Sequence, residues 1–115
     1  MNKNFNSFDN NNIEDGKTTA IIAYILIIGT IVAMFMNLDK KNTFASFHIR
    51  QALGLNISFY ALAYIIGNID SWMASAAFYV FFMVLWIFGF VGCLQNEKKE
   101  IPFLGAYFQK WFKNL

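Results

Sequence analysis

The chain has 115 residues, of which 57% are apolar, 19% aromatic and 14% charged, with a formal net charge of +2. A soluble domain carries about 25% charged residues, and one this small could not hide so much Phe, Ile and Ala in a single core, so a bilayer is the solvent that fits the composition. The few positive charges are mixed with carboxylates, which excludes a nucleic-acid footprint, and the lone Cys93 excludes an internal disulfide and a cysteine metal cluster.

Residues 1–16 hold six of the chain's asparagines together with Asp and Ser, and the only apolar side chains after the initiator are Phe5, Phe8 and Ile13. Such a segment cannot bury enough surface to offset its ordering entropy, and the composition predicts a disordered tail. Three stretches follow without a formal charge, 18–38, 51–69 and 71–96. A hydrocarbon core about 30 Å thick needs roughly 20 mostly apolar residues. The reading is therefore an all-α integral membrane protein with three transmembrane helices, at about 18–37, 52–69 and 72–94, within a domain spanning 17–96.

The first predicted span has apolar residues around its whole circumference, with Thr18 or Thr19 as its cap and Gly29 and Ala33 as a small pair for close helix contact. It is longer than a signal-peptide core and lacks a clear cleavage site, so it is read as retained. A polar turn at 37–42 leads to Asn42 or Thr43, either of which can cap a second helix that begins amphipathic near the headgroups. That span is the most polar of the three. It carries Asn56, whose amide needs a partner in hydrocarbon, with small residues on two nearly opposite faces. The tight turn 67–71 makes the second and third spans antiparallel neighbours, and Trp72 opens the third at interfacial depth as an anchor.

Beyond the charged stretch 95–100, Pro102 suits the first turn of a last helix. Over 101–115 Phe103, Leu104, Tyr107, Phe108, Trp111, Phe112 and Leu115 recur at helical spacing, opposite Gln109, Lys110 and Lys113. This segment is too short to span and strongly two-faced, so it is predicted to lie in the interface, with Tyr107, Lys110, Trp111 and Lys113 as further anchors. Three spans set Lys3 and Lys17 on one side. Lys40, Lys41, Arg50, Lys98, Lys99, Lys110 and Lys113 fall on the other. The bias predicts the N-terminus outside and the C-terminus in the cytoplasm of a bacterial inner membrane.

"AIIAYILIIG", "FASFHIRQALGLN" and "VLWIFGFVGCLQNEKKEIPFLG" resemble small bacterial membrane proteins described as import-component-like. Those proteins are similar to the multispanning channel subunit of the translocon at the chloroplast inner envelope. The resemblance covers about residues 17–115 and is most specific at Phe47-His48-x-Arg50-Gln51-Ala52-Leu53 and Pro102-Phe103-Leu104-Gly105. It implies a membrane address and a subunit or accessory role in transport or protein translocation. The alternative is a structural or regulatory protein acting through helix association and surface binding.

No Asp, Glu, Lys or Arg lies well inside a predicted span, and no metal-ligand spacing, phosphate loop or carboxylate dyad occurs, so neither catalysis nor a cofactor or metal is expected. The expected partners are the lipid bilayer and further copies of the chain or other membrane subunits, not nucleic acid. The residues singled out are His48, Arg50, Gln51 and Asn56. They are read either as interfacial anchors or as a polar cluster at a subunit interface.

Overall fold

The computed structural model describes residues 3–115, with side chains from Asn12 onward, so Phe5 and Phe8 lie outside the described side chains. Every regular element described is a helix: α1 (Lys3–Ala23), α2 (Leu26–Met36), α3 (Thr43–Gly67), α4 (Trp72–Leu94) and α5 (Gly105–Trp111). Two of them, α3 and α4, are long and apolar enough to cross a bilayer. The expected first span, 18–37, is not one helix. The chain breaks after Ala23, and α2 has only 11 residues.

The break carries no Gly or Pro, and Leu26 takes the strained left-handed conformation with φ 55°. What stabilises it is the satisfaction of the carbonyls that an interrupted helix leaves free. Tyr24 N donates to Ile21 O at 3.1 Å and Ile25 N to Ile22 O at 3.0 Å. The Thr30 hydroxyl donates to Ala23 O at 2.6 Å, and the Trp86 indole N–H donates to Tyr24 O at 2.9 Å. Gly29 lets α2 cross the end of α1, since a Cβ there would collide with the Ile22 carbonyl.

Past this corner α2 folds back along α1. The Asn42 side chain beside α2's far end donates to Asn12 O at 2.8 Å, and the Thr43 hydroxyl reaches the Asn12 side chain at 3.0 Å. Lys17 Nζ donates to Leu94 O at 3.0 Å. The start of the described side chains therefore sits with the α2–α3 loop and the end of α4, where three spans would have set it with the α3–α4 turn. Helix α1 also begins at Lys3, inside the segment 1–16 expected as a disordered tail. From Asn12 to Gly16 it is held by α3's start, and a Cβ on Gly16 would strike the Asn42 side chain.

Both long helices start on a polar cap. The Asn42 side chain caps α3 by accepting from Ala45 N, and Ser71 caps α4 by accepting from Ala74 N. Helix α4 ends with Asn96 at φ 65°. There Asn96 N donates to Cys93 O at 3.1 Å and Glu97 N to Gly92 O at 2.9 Å, the two bonds of a Schellman turn. A second tight turn, with Phe103 at φ 69°, precedes α5, which starts at Gly105 and not at Pro102.

The C-terminal segment does not lie free with one aromatic face. Phe108 is buried over Gly54 of α3, whose hydrogen occupies the space a Cβ would need, while Phe103, Tyr107 and Trp111 stay exposed. The aromatic stripe is thus divided between the protein interior and the surroundings.

The molecule accordingly has two halves. In the basal half α1, α2, α5 and the 95–104 connection surround the first part of α3 and the last part of α4. In the distal half α3 and α4 stand alone, joined by Phe59, Phe78 and Phe82, whose ring centroids lie 4.9–5.7 Å apart. Their outer faces leave Leu62, Tyr64, Ile65, Tyr79, Val80 and Met83 exposed.

Candidate functional site

The basal half contains a chain of buried polar side chains, which begins with the sequence motif on α3. At one turn's spacing His48 and Gln51 point the same way, and both are fully buried. The Gln51 amide N–H donates to the Tyr24 hydroxyl at 3.0 Å, and that oxygen lies 2.6 Å from His48 Nδ1. His48 Nε2 lies 2.9 Å from Glu97 O. A carbonyl can only accept, so Nε2 carries the proton and Nδ1 accepts from Tyr24. The hydrogen bonds then run in one direction, from Gln51 through Tyr24 and neutral His48 to the Glu97 carbonyl.

Gln51 continues the chain on its other side. Its Nε2 donates to Lys99 O at 3.2 Å, and its Oε1 accepts from Ile101 N at 2.8 Å. One glutamine thus joins α1, α3 and the connection that follows α4. Phe44, Phe47 and Tyr24 pack edge-on to the His48 ring at 4.8, 5.1 and 5.5 Å, which fixes its plane.

Arg50 faces away from this chain, toward the C-terminal segment. Its Nη2 donates to Lys113 O at 3.0 Å and its Nη1 lies 3.4 Å from Gln109 Oε1, while Gln109 Nε2 donates to Phe47 O at 2.8 Å. Asn56 belongs to a third set: its amide donates to Thr30 Oγ1 at 2.8 Å and to Ala52 O at 3.0 Å. Of the four singled-out residues, His48 and Gln51 meet through Tyr24, and Arg50 and Asn56 each reach other partners.

The residues expected as interfacial anchors separate in the same way. Trp72 is 80% exposed at the distal end, and Tyr107, Lys110, Trp111 and Lys113 are exposed at the base. Sequence reasoning missed Tyr24, Thr30, Asn37 and Trp86. Asn37 Nδ2 donates to Ser46 Oγ at 2.8 Å, and its Oδ1 accepts from Asn42 N at 2.9 Å. The available signal was the cost of a hydroxyl, amide or indole N–H in an apolar stretch, which obliges each to find a partner.

Among the described residues no group of three His, Cys, Asp or Glu side chains converges as a metal site. The single ion pair among them is Lys99–Glu97 at 3.6 Å, in which both side chains are about half exposed. The arrangement can hold helices together and orient backbone.

Comparison with known proteins gives one informative relative. The chain is 25% identical over 103 residues to the UPF0132 membrane protein of Methanocaldococcus jannaschii, an alignment covering 86% of this chain and 71% of that protein. No family model matches the chain, and no solved structure matches it. A relative named as a membrane protein and two helices of spanning length and composition together suggest a membrane location.

Proposed function

We propose that the chain is a small, non-catalytic multi-pass membrane protein, with α3 and α4 crossing the bilayer and the α1–α2 hairpin entering and leaving from one side. It serves as a subunit or accessory of a transport or protein-translocation assembly. At 1.5 Å per residue α3 is about 37 Å long and α4 about 35 Å, enough to cross, while the arms of the hairpin from Asn12 and Asn37 reach about 17 Å, or half-way. All eight basic residues from Asn12 onward lie in the base or the loops attached to it, and the distal turn carries Asp70 and no base. This distribution supports a base that lies, with the N-terminal and C-terminal segments, on the cytoplasmic face of the inner membrane.

The observation that carries the subunit role is the distal half of α3 and α4. Two helices alone leave Tyr64 78% and Val80 63% exposed, on faces where further helices can pack. A photo-crosslinking residue at Tyr64 or Val80, activated in native membranes, should give discrete protein adducts. Adducts with lipid alone at both positions would remove the subunit role.

A second reading, surface binding by the C-terminal segment, is favoured by the exposed cluster of Phe103, Tyr107 and Trp111. Trp111→Glu with Tyr107→Glu should then release a base that Lys110→Gln leaves attached, as read by fluorescence quenching from bilayer-depth probes.

A further inference from the structure

Between α2, the start of α3 and the C-terminal segment lies a cavity of about 680 Å³. Its lining divides into two chemical halves. Ile31, Met34 and Phe35 of α2 form an apolar wall, and Ile31 and Phe35 are also open to the surroundings of the molecule. Lys41, Arg50, Lys98 and Lys113 supply four positive groups from four separate segments. The lining holds no acidic side chain; Leu115, the last residue of the sequence, borders it with a main-chain oxygen that accepts from Ser46 Oγ at 3.0 Å. Glu97, the carboxylate beside Lys98 in sequence, pairs with Lys99 instead, and Asp39 stands on the loop outside the lining.

Arg50 adds a second observation. Its Nε is buried and has no hydrogen-bond partner, and its terminal nitrogens meet only a carbonyl and an amide oxygen. A guanidinium paired with no carboxylate side chain and with one donor unused is a fitting partner for a phosphate, whose oxygens match that fork. Asn37, Thr43 and Ser46 border the same space with further polar groups.

The geometry points to this cavity as a binding site for one anionic phospholipid. The phosphate headgroup sits among Lys41, Arg50, Lys98 and Lys113, and an acyl chain runs along Ile31, Met34 and Phe35. The inference rests on the membrane reading above, because it needs the cationic half at headgroup depth and the apolar half deeper. Basic pockets of this kind on the cytoplasmic side retain anionic headgroups, and the volume falls within the range of pockets that enclose a small ligand. The short helix α2 gives the reason for a bound lipid: it stops half-way, and a held acyl chain covers its outer face.

The test uses the full chain purified in mild detergent, with lipid adducts counted by native mass spectrometry. Phosphatidylglycerol should form a one-to-one adduct at a concentration at least tenfold below phosphatidylcholine of the same chains. Lys41→Gln with Lys98→Gln, two side chains with no hydrogen-bond role in the fold, should weaken the phosphatidylglycerol adduct at least fivefold, and Arg50→Gln should weaken it further. Lys110→Gln, outside the cavity, should leave it unchanged. Equal binding of the two lipids, or an adduct indifferent to the Lys41/Lys98 pair, would overturn the site. Displacement of the lipid by millimolar inorganic phosphate would overturn it as a lipid site and assign it to a soluble anion. Loss of the lipid preference in a protein whose α3–α4 turn is still reached from outside the cell rejects the cavity alone. A turn that cannot be reached rejects the membrane reading beneath it.

Discussion

The two halves of this molecule use the same helices and solve different problems. In the base, α3 is surrounded on several sides and buries Ser46, His48 and Gln51, each hydrogen-bonded to another segment. In the distal half the same helix buries almost nothing, and its neighbour α4 contributes only Phe78, Phe82 and Leu85 to the interior before the two part. Lipid tails are as apolar as Leu, so apolar contact alone gives little drive for helix association in a bilayer. The base therefore gains its specificity from directed hydrogen bonds between distant segments, and the distal half remains an adaptable apolar surface.

The comparison breaks most decisively at Gln51. Gln51→Leu keeps the volume but orphans Ile101 N–H and removes the bonds to Tyr24 and Lys99. At about 1–3 kcal/mol for a buried unsatisfied group, it should cost at least about 3 kcal/mol of stability in thermal unfolding in detergent. Tyr64→Ala, in the exposed distal half, should stay within about 0.5 kcal/mol. Similar losses for the two would erase the distinction between the halves.

Gly54→Val is the next largest. Its side chain would occupy the place of the Phe108 ring, so α5 should detach while α3 and α4 remain, and limited proteolysis should clip the chain between 95 and 105. A protected α5 in this variant would contradict its docking on Gly54.

A smaller effect sharpens the picture inside the base. Thr30→Val removes a hydroxyl that donates to Ala23 O and accepts from Asn56, at about 1–2 kcal/mol. The pair Thr30→Val and Asn56→Ala should be coupled by more than about 0.5 kcal/mol, whereas His48→Ala and Asn56→Ala, which share no bond, should be additive. Coupling of His48 to Asn56 would merge two networks that the structure keeps apart.

Much of this was legible in the sequence. Apolar length, Asn42 and the turn at 67–71 locate α3 and α4, because caps, turns and spanning length are local properties. The identities of His48, Arg50, Gln51 and Asn56 as polar groups of interest were legible too. The partners were not, since Tyr24, Thr30, Glu97 and Lys99 come from segments separated from them by tens of residues. The break at Tyr24 was hidden for the same reason. Nothing between Ala20 and Met36 breaks a helix by itself, and the corner depends on Trp86, 62 residues away. Reading 18–37 as one span then assigned Lys17 to the wrong end of the molecule.

Cysteine accessibility in cells expressing the protein tests the central claim, that the chain's basal segments all lie on one side and only the α3–α4 turn on the other. In a Cys93→Ser background, single cysteines at Asp15, Lys40, Asp70 and Asn114 are exposed to a membrane-impermeant thiol reagent before and after permeabilisation. The account predicts labelling at Asp70 in intact cells, and at Asp15, Lys40 and Asn114 only once the membrane is opened. Labelling of Asp15 together with Asp70 from outside, with Asn114 protected, would mean that residues 18–37 cross the bilayer after all and would contradict the hairpin.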